Sequence, residues 1–185
     1  MKNFLLVAAI IVVVGIVVFV SGYNGIVSKH ETIAAKWAQV ENQLQRRNDL
    51  IPNLVNSVKG YAAHEKTLFE DITNARSQWA KATTVDEKVK AASAVDAALS
   101  RLLLVVENYP ILKANETFLQ LMDELSGTEN RIAVERMRFN EAVKEYNVSV
   151  RMVPGNVIAR MFGYKPATEY FNAEENARLV PEVKF

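Results

Sequence analysis

Residues 4–20 read FLLVAAIIVVVGIVVFV, 17 apolar residues without a charge, and Ser21-Gly22-Tyr23 prolongs the run. As a helix rising 1.5 Å per residue, this stretch is about 26–28 Å long, close to the roughly 30 Å hydrocarbon core of a bilayer. Tyr23 falls where an interfacial aromatic sits. A cleaved signal peptide is the rival reading, with Val20-Ser21-Gly22 as an imperfect processing site. The run is longer than a usual signal-peptide core and lacks Ala-x-Ala, so an uncleaved anchor is favoured. A lipid anchor needs a cysteine just after the apolar run, and position 23 is tyrosine. The helix is therefore expected to be the anchor, and to contact the lipid bilayer through residues 4–22. Lys2 and the free amine favour an inside N-terminus, while Lys29 and Lys36 pull weakly the other way. The balance leans towards the cell (inner) membrane with an exported soluble part.

The composition follows from this asymmetry. Half of the 185 residues are hydrophobic, and the excess is concentrated in the N-terminal run. Lys2 is the only charged side chain before Lys29. Removing it from the 22 basic residues leaves 21, against 21 acidic. So balanced a chain argues against nucleic acid, because displacing phosphate counterions needs a net basic face. Cysteine is absent, which removes disulfides, thiol nucleophiles and cysteine metal ligands together.

Beyond the anchor the chain reads as long helices. Between Ile26 and Val153 there are two glycines, Gly60 and Gly127, and two prolines, Pro52 and Pro110. So few breakers permit few elements. Ile26, Ile33, Trp37, Val40 and Leu44 form one apolar stripe, and Leu54, Val58, Tyr61, Leu68, Ile72 and Ala75 a second. Val85, Val89, Ala92, Leu99, Leu102 and Val106 make a third. Phe118, Leu121, Leu125, Ile132, Phe139, Tyr146 and Val150 make a fourth. Narrow seams at heptad spacing belong to helices packed lengthwise at shallow angles, and no window alternates as a strand does.

The punctuation divides them. Asn48-Asp49 before Pro52 predicts the start of a second helix, since proline in a first turn loses no intrahelical bond. Thr84-Val85-Asp86-Glu87 is a capping box. Asn108-Tyr109-Pro110 ends the third helix, and Asn115 caps the fourth. Val153-Pro154-Gly155-Asn156 ends that one, ahead of a short helix over Val157–Phe162. Gly127 lies inside the fourth stripe without shifting its phase and reads as a tolerated or close-packing glycine. The fold expected is all-α: a single transmembrane helix followed by an up-and-down antiparallel bundle of four helices, each of about 22–37 residues. The expected division is 1–22 anchor, 23–153 bundle, and 154–185 short helix with an aromatic tail (Tyr164, Tyr170, Phe171, Phe185). The first helix is free to run unbroken from membrane into bundle.

Catalytic and metal-binding patterns are missing from the sequence. A ferritin-like di-iron bundle needs two Glu-x-x-His pairs, yet the residues three before His30 and His64 are Val27 and Tyr61. No zinc ligand set, glycine-rich phosphate loop or Gly-x-Ser-x-Gly elbow is present. His64-Glu65 is the one acid/base-looking doublet, and it reads more simply as a polar step near Gly60. No catalytic residue, cofactor or metal is expected.

Polar residues do stand out beside the seams. Arg46-Arg47 and Asp49 are placed at the first turn. Glu129, Arg131, Glu135, Arg136 and Asn140 interrupt the fourth stripe. They are either interhelical ion pairs that fix register or the lining of a polar groove for a peptide or partner helix, and the first reading is favoured. The candidate interaction or register-fixing residues are Arg47, Asp49, Asn53, Glu129, Arg131, Arg136 and Asn140. Trp37 and Trp79 read as core or core-edge. The aromatic tail is open to two readings, a docking strip or a cover over the end of the bundle.

Several stretches resemble the LemA family, a widespread bacterial group. They are Tyr23-Asn24, QLQRRNDLIPNLVNSVKGYAAHE (43–65), Asn74-Ala75-Arg76, YPILKANETFLQLMDEL (109–125), TENRIAVERMRFNEAVKEYN (128–147), and Pro154 to Phe171 with FGY and EYF. The resemblance implies a four-helix core and a membrane-associated protein without an established enzymatic activity. It places Arg47, Asp49, Pro52, Asn53, Glu129, Asn130, Arg131, Arg136 and Asn140 in the family pattern. It also implies company with TPM-domain proteins and membrane peptidases. The function expected is a non-enzymatic, membrane-anchored helical scaffold of the bacterial envelope that binds other proteins or its own copies. The alternative is an accessory or client-handling subunit of a membrane protease system.

Overall fold

The computed structural model describes residues 1–62, 64–168 and 170–171. Every element among them is helical: α1 Lys2–Lys59, α2 Lys66–Lys81, α3 Val85–Val106, α4 Pro110–Lys113, α5 Glu116–Arg151 and α6 Gly155–Phe162. The remaining tail residues, Phe185 among them, lie outside the described part of the chain. Two compact units result, one of Gln39–Arg136 and one of Met1–Ala38 with Met137–Phe185.

One expectation fails at Pro52. It does not begin a second helix but sits inside α1, which runs through it for 58 residues. A proline in a helix interior costs about 3 kcal/mol. Burial outweighs that cost. Leu44, Ile51, Leu54, Val55 and Val58 are each no more than 7% exposed, and complete burial of one such side chain is worth roughly 1.5–3 kcal/mol. Ending the helix at Asn48 would throw the last four of these out of phase with the first. The break comes instead from Gly60 onward, where glycine carries the largest entropic cost of any residue in a helix. The stripe drawn from Leu54 to Ala75 therefore spans two helices. Tyr61, placed in it by spacing, is 41% exposed and Ala62 takes the buried position.

Within Gln39–Arg136 the side-chain pairs fix helix directions. Glu41 and Arg47 of α1 meet Lys88 and Asp96 of α3, so those helices run parallel. Gln43 and Arg47 meet Arg131 and Glu129 of α5, which runs opposite. Asp71 and Trp79 of α2 meet Arg101 and Lys88 of α3, again antiparallel. The order is up, down, up, down. Small side chains (Ala75 on α2, and Ala91, Ala92 and Ala98 on α3) are buried where the α2–α3 hairpin packs.

The caps form where the sequence places them. Asn115 Oδ1 accepts the Phe118 amide at 3.0 Å. Thr84 Oγ1 accepts the Glu87 amide at 3.2 Å, and the Glu87 carboxylate accepts the amides of Thr83 and Thr84 at 2.9 and 3.1 Å. Those backbone amides hold Glu87 below the ordinary carboxylate pKa. A depressed folded-state pKa makes the cap fully effective above the unfolded value and weakens it as pH falls through the folded one. The start of α3 is therefore expected to fray in acid before the rest of the helix, read as amide exchange at Asp86–Lys88. Thr84→Ala is expected to cost about 1 kcal/mol.

α5 carries the most regular seam. Phe118, Leu125, Ile132, Phe139 and Tyr146 recur every seven residues and are all at most 8% exposed. Gly127 is absorbed within the helix as read from its phase. The connection after Arg151 leads into α6, whose Ile158 and Ala159 pack with Ile26, Tyr146 and Val150.

Candidate functional site

Two constellations gather four of the seven polar residues singled out by sequence, Arg47, Glu129, Arg131 and Asn140. The first is centred on Arg47, which lies in the middle of α1 rather than at a turn, because α1 continues through Pro52. Arg46 beside it is exposed, whereas Arg47 is 2% exposed. Its Nη1 lies 2.5 Å from Asp96 Oδ1 and 2.6 Å from Glu129 Oε2. One buried cation thus ties α1 to both α3 and α5. Beside it, Arg131 donates from Nε to Gln43 at 3.2 Å and from Nη2 to the buried Thr128 at 3.0 Å. Lys88 pairs with Glu41 about two helical turns away and lies 5.4 Å above the Trp79 ring. The charged groups pair with one another across three helices, whereas the buried Trp79 Nε1 and Asn48 Oδ1 beside them have no hydrogen-bond partner.

Asp49 and Asn53 do not join it. Both are exposed: Asp49 accepts from Gln45 at 2.7 Å, and the Asn53 carbonyl accepts from Ser57 at 2.9 Å. Arg136 is half-buried further along α5.

The second constellation lies in the other unit and holds an extended segment. Asn140 donates from Nδ2 to the Phe171 carbonyl and accepts the Phe171 amide at Oδ1, both at 2.9 Å. Asn147, seven residues on, does the same for Ala167, at 2.9 and 2.8 Å. The Tyr146 hydroxyl donates to the Lys165 carbonyl at 2.9 Å, and burial pushes its pKa up. Each asparagine offers an amide the same donor–acceptor pair that a neighbouring β-strand would offer. Recognition therefore falls on main chain and is indifferent to side chains. Selectivity comes from an aromatic slot: Phe171 stacks on Trp37 (centroids 5.9 Å, 21°) and meets Phe139 edge-on at 5.6 Å.

The described part of the aromatic tail is thus a strap along α5. Replacing Asn140 and Asn147 together with alanine is expected to release it at a cost of roughly 2–3 kcal/mol, from the paired amide bonds lost. Faster exchange of the Ala167 and Phe171 amides, with the Gln39–Arg136 unit unaffected, is the readout.

Asn147, Asp96, Gln43 and the Glu41–Lys88 pair were not among the candidate polar residues, and Tyr146 was read only as part of the apolar stripe. Asn147 was accessible, since a seven-residue offset puts it on the face of Asn140. Asp96 also gave a signal, as a single acid in the run AASAVDAAL.

Chemically reactive arrangements are scarce. Among the described residues no group of three or more histidine, aspartate or glutamate side chains converges. His64 is exposed in the α1–α2 turn, and His30 lies 5.5 and 5.8 Å from the Tyr146 and Tyr164 rings. A groove of about 620 Å³ between Lys59 and Asn74 is open-sided and lined by Lys59, Lys66, Phe69, Glu70, Thr73 and Asn74.

The α1 segment ahead of this machinery is bare. Phe4 to Val18 are mostly half to three-quarters exposed, in a helix long and apolar enough to cross a bilayer. The model for the LemA family matches residues 36–185. The chain belongs to the LemA family. Its similar proteins include the magnetosome protein MamQ of Magnetospirillum gryphiswaldense, 27% identical over 87% of this chain and 70% of its own length. Magnetosome protein MamQ 2 of Paramagnetospirillum magneticum is 29% identical over 88% of this chain and 70% of its own. Protein LemA of Metamycoplasma hominis is 24% identical over 86% and 74%. The LemA-family match takes in Arg47, Asp96, Glu129, Asn140 and Asn147, and so covers both constellations.

Proposed function

We propose that this LemA-family chain is a non-catalytic, membrane-tethered helical scaffold that binds other proteins or further copies of itself. Residues 1–22 act as the anchor, 23–153 as the helical bundle, and 154–185 as the short helix and tail. The observation that carries this reading is the apolar segment of α1, whose residues from Phe4 to Val18 stand largely exposed in a helix long enough to cross a bilayer. The mutual pairing of charges around Arg47 supports a structural use of the polar layer, because a buried ion pair specifies register more readily than it adds stability. The names of the similar proteins state no enzymatic activity. The bundle is assigned to the exported side of the inner membrane.

A second reading is favoured by the asparagine clamps. A pair of side chains that grips main chain without regard to sequence is the chemistry needed to hold an extended client, as an accessory subunit of a membrane peptidase would. TPM-domain proteins and membrane peptidases are the partners the family resemblance brings forward.

Crosslinking in intact membranes followed by mass spectrometry separates the two. The scaffold reading expects adducts with copies of the chain or with non-peptidase membrane proteins. Peptidase adducts that disappear with Asn140→Ala/Asn147→Ala would replace it with the second. A reporter active on one side of the membrane only, fused after residue 185, tests the exported orientation.

A further inference from the structure

The helix α6 has two faces with opposite fates. On one, Ile158 and Ala159 are each 2% exposed. Ile158 presses on α1 at Gly22, where an added Cβ would lie 2.6 Å from its Cδ1. The Phe162 ring sits 4.5 Å from Tyr23 and 6.1 Å from Phe19. α6 is therefore seated on Phe19–Ile26, a stretch of α1 rising about 10 Å and containing the end of the apolar run.

The other face is apolar and bare. Val153 is 80% exposed, Met161 66%, Met152 62% and Val157 56%. Contiguous large apolar residues in the open mark a contact surface. The charges within this segment have one sign: Arg151, Arg160 and Lys165 are exposed, and no acidic residue occurs between Glu145 and Glu169, although Glu31 of α1 lies near Tyr164. A short, strongly amphipathic helix with apolar and basic side chains is suited to the headgroup–acyl boundary. Its seat places it there, since α6 lies beside the level at which α1 leaves the hydrocarbon.

We propose that α6 and the preceding Met152–Val153 form a second, monotopic membrane contact, with the bare apolar face in the interface and Arg151, Arg160 and Lys165 against anionic lipid headgroups. The contact rests on the reading of α1 as the membrane tether. It gives the protein a lipid-sensing surface distinct from its anchor: α1 enters any bilayer of suitable thickness, whereas α6 responds to surface charge.

The absence of cysteine makes the test direct. Single-cysteine forms of the full chain (Val157→Cys, Met161→Cys, Val12→Cys and Lys90→Cys) are labelled with an environment-sensitive fluorophore. They are reconstituted into phosphatidylcholine vesicles with and without phosphatidylglycerol, carrying shallow or deep lipid-borne quenchers. Labels at 157 and 161 are expected to shift to the blue and to be quenched by the shallow quencher. Val12 should respond to the deep quencher, and Lys90 to neither. Arg151→Gln and Arg160→Gln should each weaken the α6 contact about fivefold in anionic vesicles, and added salt should do likewise. Water-exposed labels at 157 and 161 with Val12 protected would overturn the α6 contact alone. Labels shielded from water yet unquenched by lipid would also overturn it, in favour of a protein partner. Quenching indifferent to phosphatidylglycerol and salt would overturn the anionic-headgroup assignment. A water-exposed Val12 would instead overturn the tether itself.

Discussion

Arg47→Met is expected to destabilise the Gln39–Arg136 unit by about 2–3 kcal/mol, seen as a lower urea midpoint with an unchanged slope. Methionine replaces most of the buried stem, so the loss is electrostatic and not a cavity. Asp96 and Glu129 are left facing one another without the cation that lies 2.5 and 2.6 Å from them. Their side chains are 30% and 53% exposed, so water recovers part of the loss. That holds the cost below the 3–5 kcal/mol typical of a fully buried pair. Removing all three charges together, as Arg47→Met with Asp96→Leu and Glu129→Leu, is expected to restore most of the stability. A single-mutant loss below about 0.5 kcal/mol, the scale of an ordinary surface change, would mean the cluster does not join the three helices.

Gly155→Ala is expected to be at least as damaging, at the α5–α6 junction. A Cβ at position 155 would stand 2.0 Å from the Ser149 carbonyl oxygen and 3.2 Å from its carbon. Both are backbone atoms of α5, so no side-chain rotation relieves the clash. The Asn156 amide is tied to the Met152 carbonyl at 2.8 Å, which leaves the turn little room to open. A cost of about 3 kcal/mol or more follows. Its form should be local: Ile158 and Ala159 leave their seat beside Ile26 and Tyr146, and trypsin reaches Arg160. Gly127→Ala is the matched contrast. That glycine is in mid-helix, and the nearest atom to its added Cβ is the tip of the flexible Arg131 side chain at 3.3 Å. Alanine there is expected to be neutral or to stabilise by about 0.5–1 kcal/mol.

These contrasts show what was legible in the sequence. Local signals were read correctly where the partner lies within one turn: the Thr84–Glu87 box, the Asn115 cap, and the stop before Pro110 all form. The apolar run likewise needs no tertiary knowledge. Pro52 was misread because a proline signals a boundary only when nothing downstream repays its continuation, and five buried apolar residues on the same face do. The α1–α2 break at Gly60–Glu65 was hidden by a coincidence of phase between Tyr61 and Leu68. At the candidate sites, Glu129, Arg131 and Asn140 were visible as polar interruptions of a seam, and Arg47 as a polar residue placed at a turn that α1 does not make. Their partners were not, because Asp96 meets Arg47 only through the register of two helices. For the same reason Asn140 reads as one more polar residue until Phe171 is seen lying across it.

The tether is tested most directly by alkaline extraction of membranes containing the full chain, with the intact mass of the extracted and retained protein. The chain is expected to stay in the pellet with residues 4–22 present. A form lacking residues 2–22 should enter the supernatant with its helical content intact, because a surface contact by α6 does not withstand extraction. Full-length protein in the supernatant, or retained protein lacking the apolar run, would contradict a helical scaffold held in the membrane by α1.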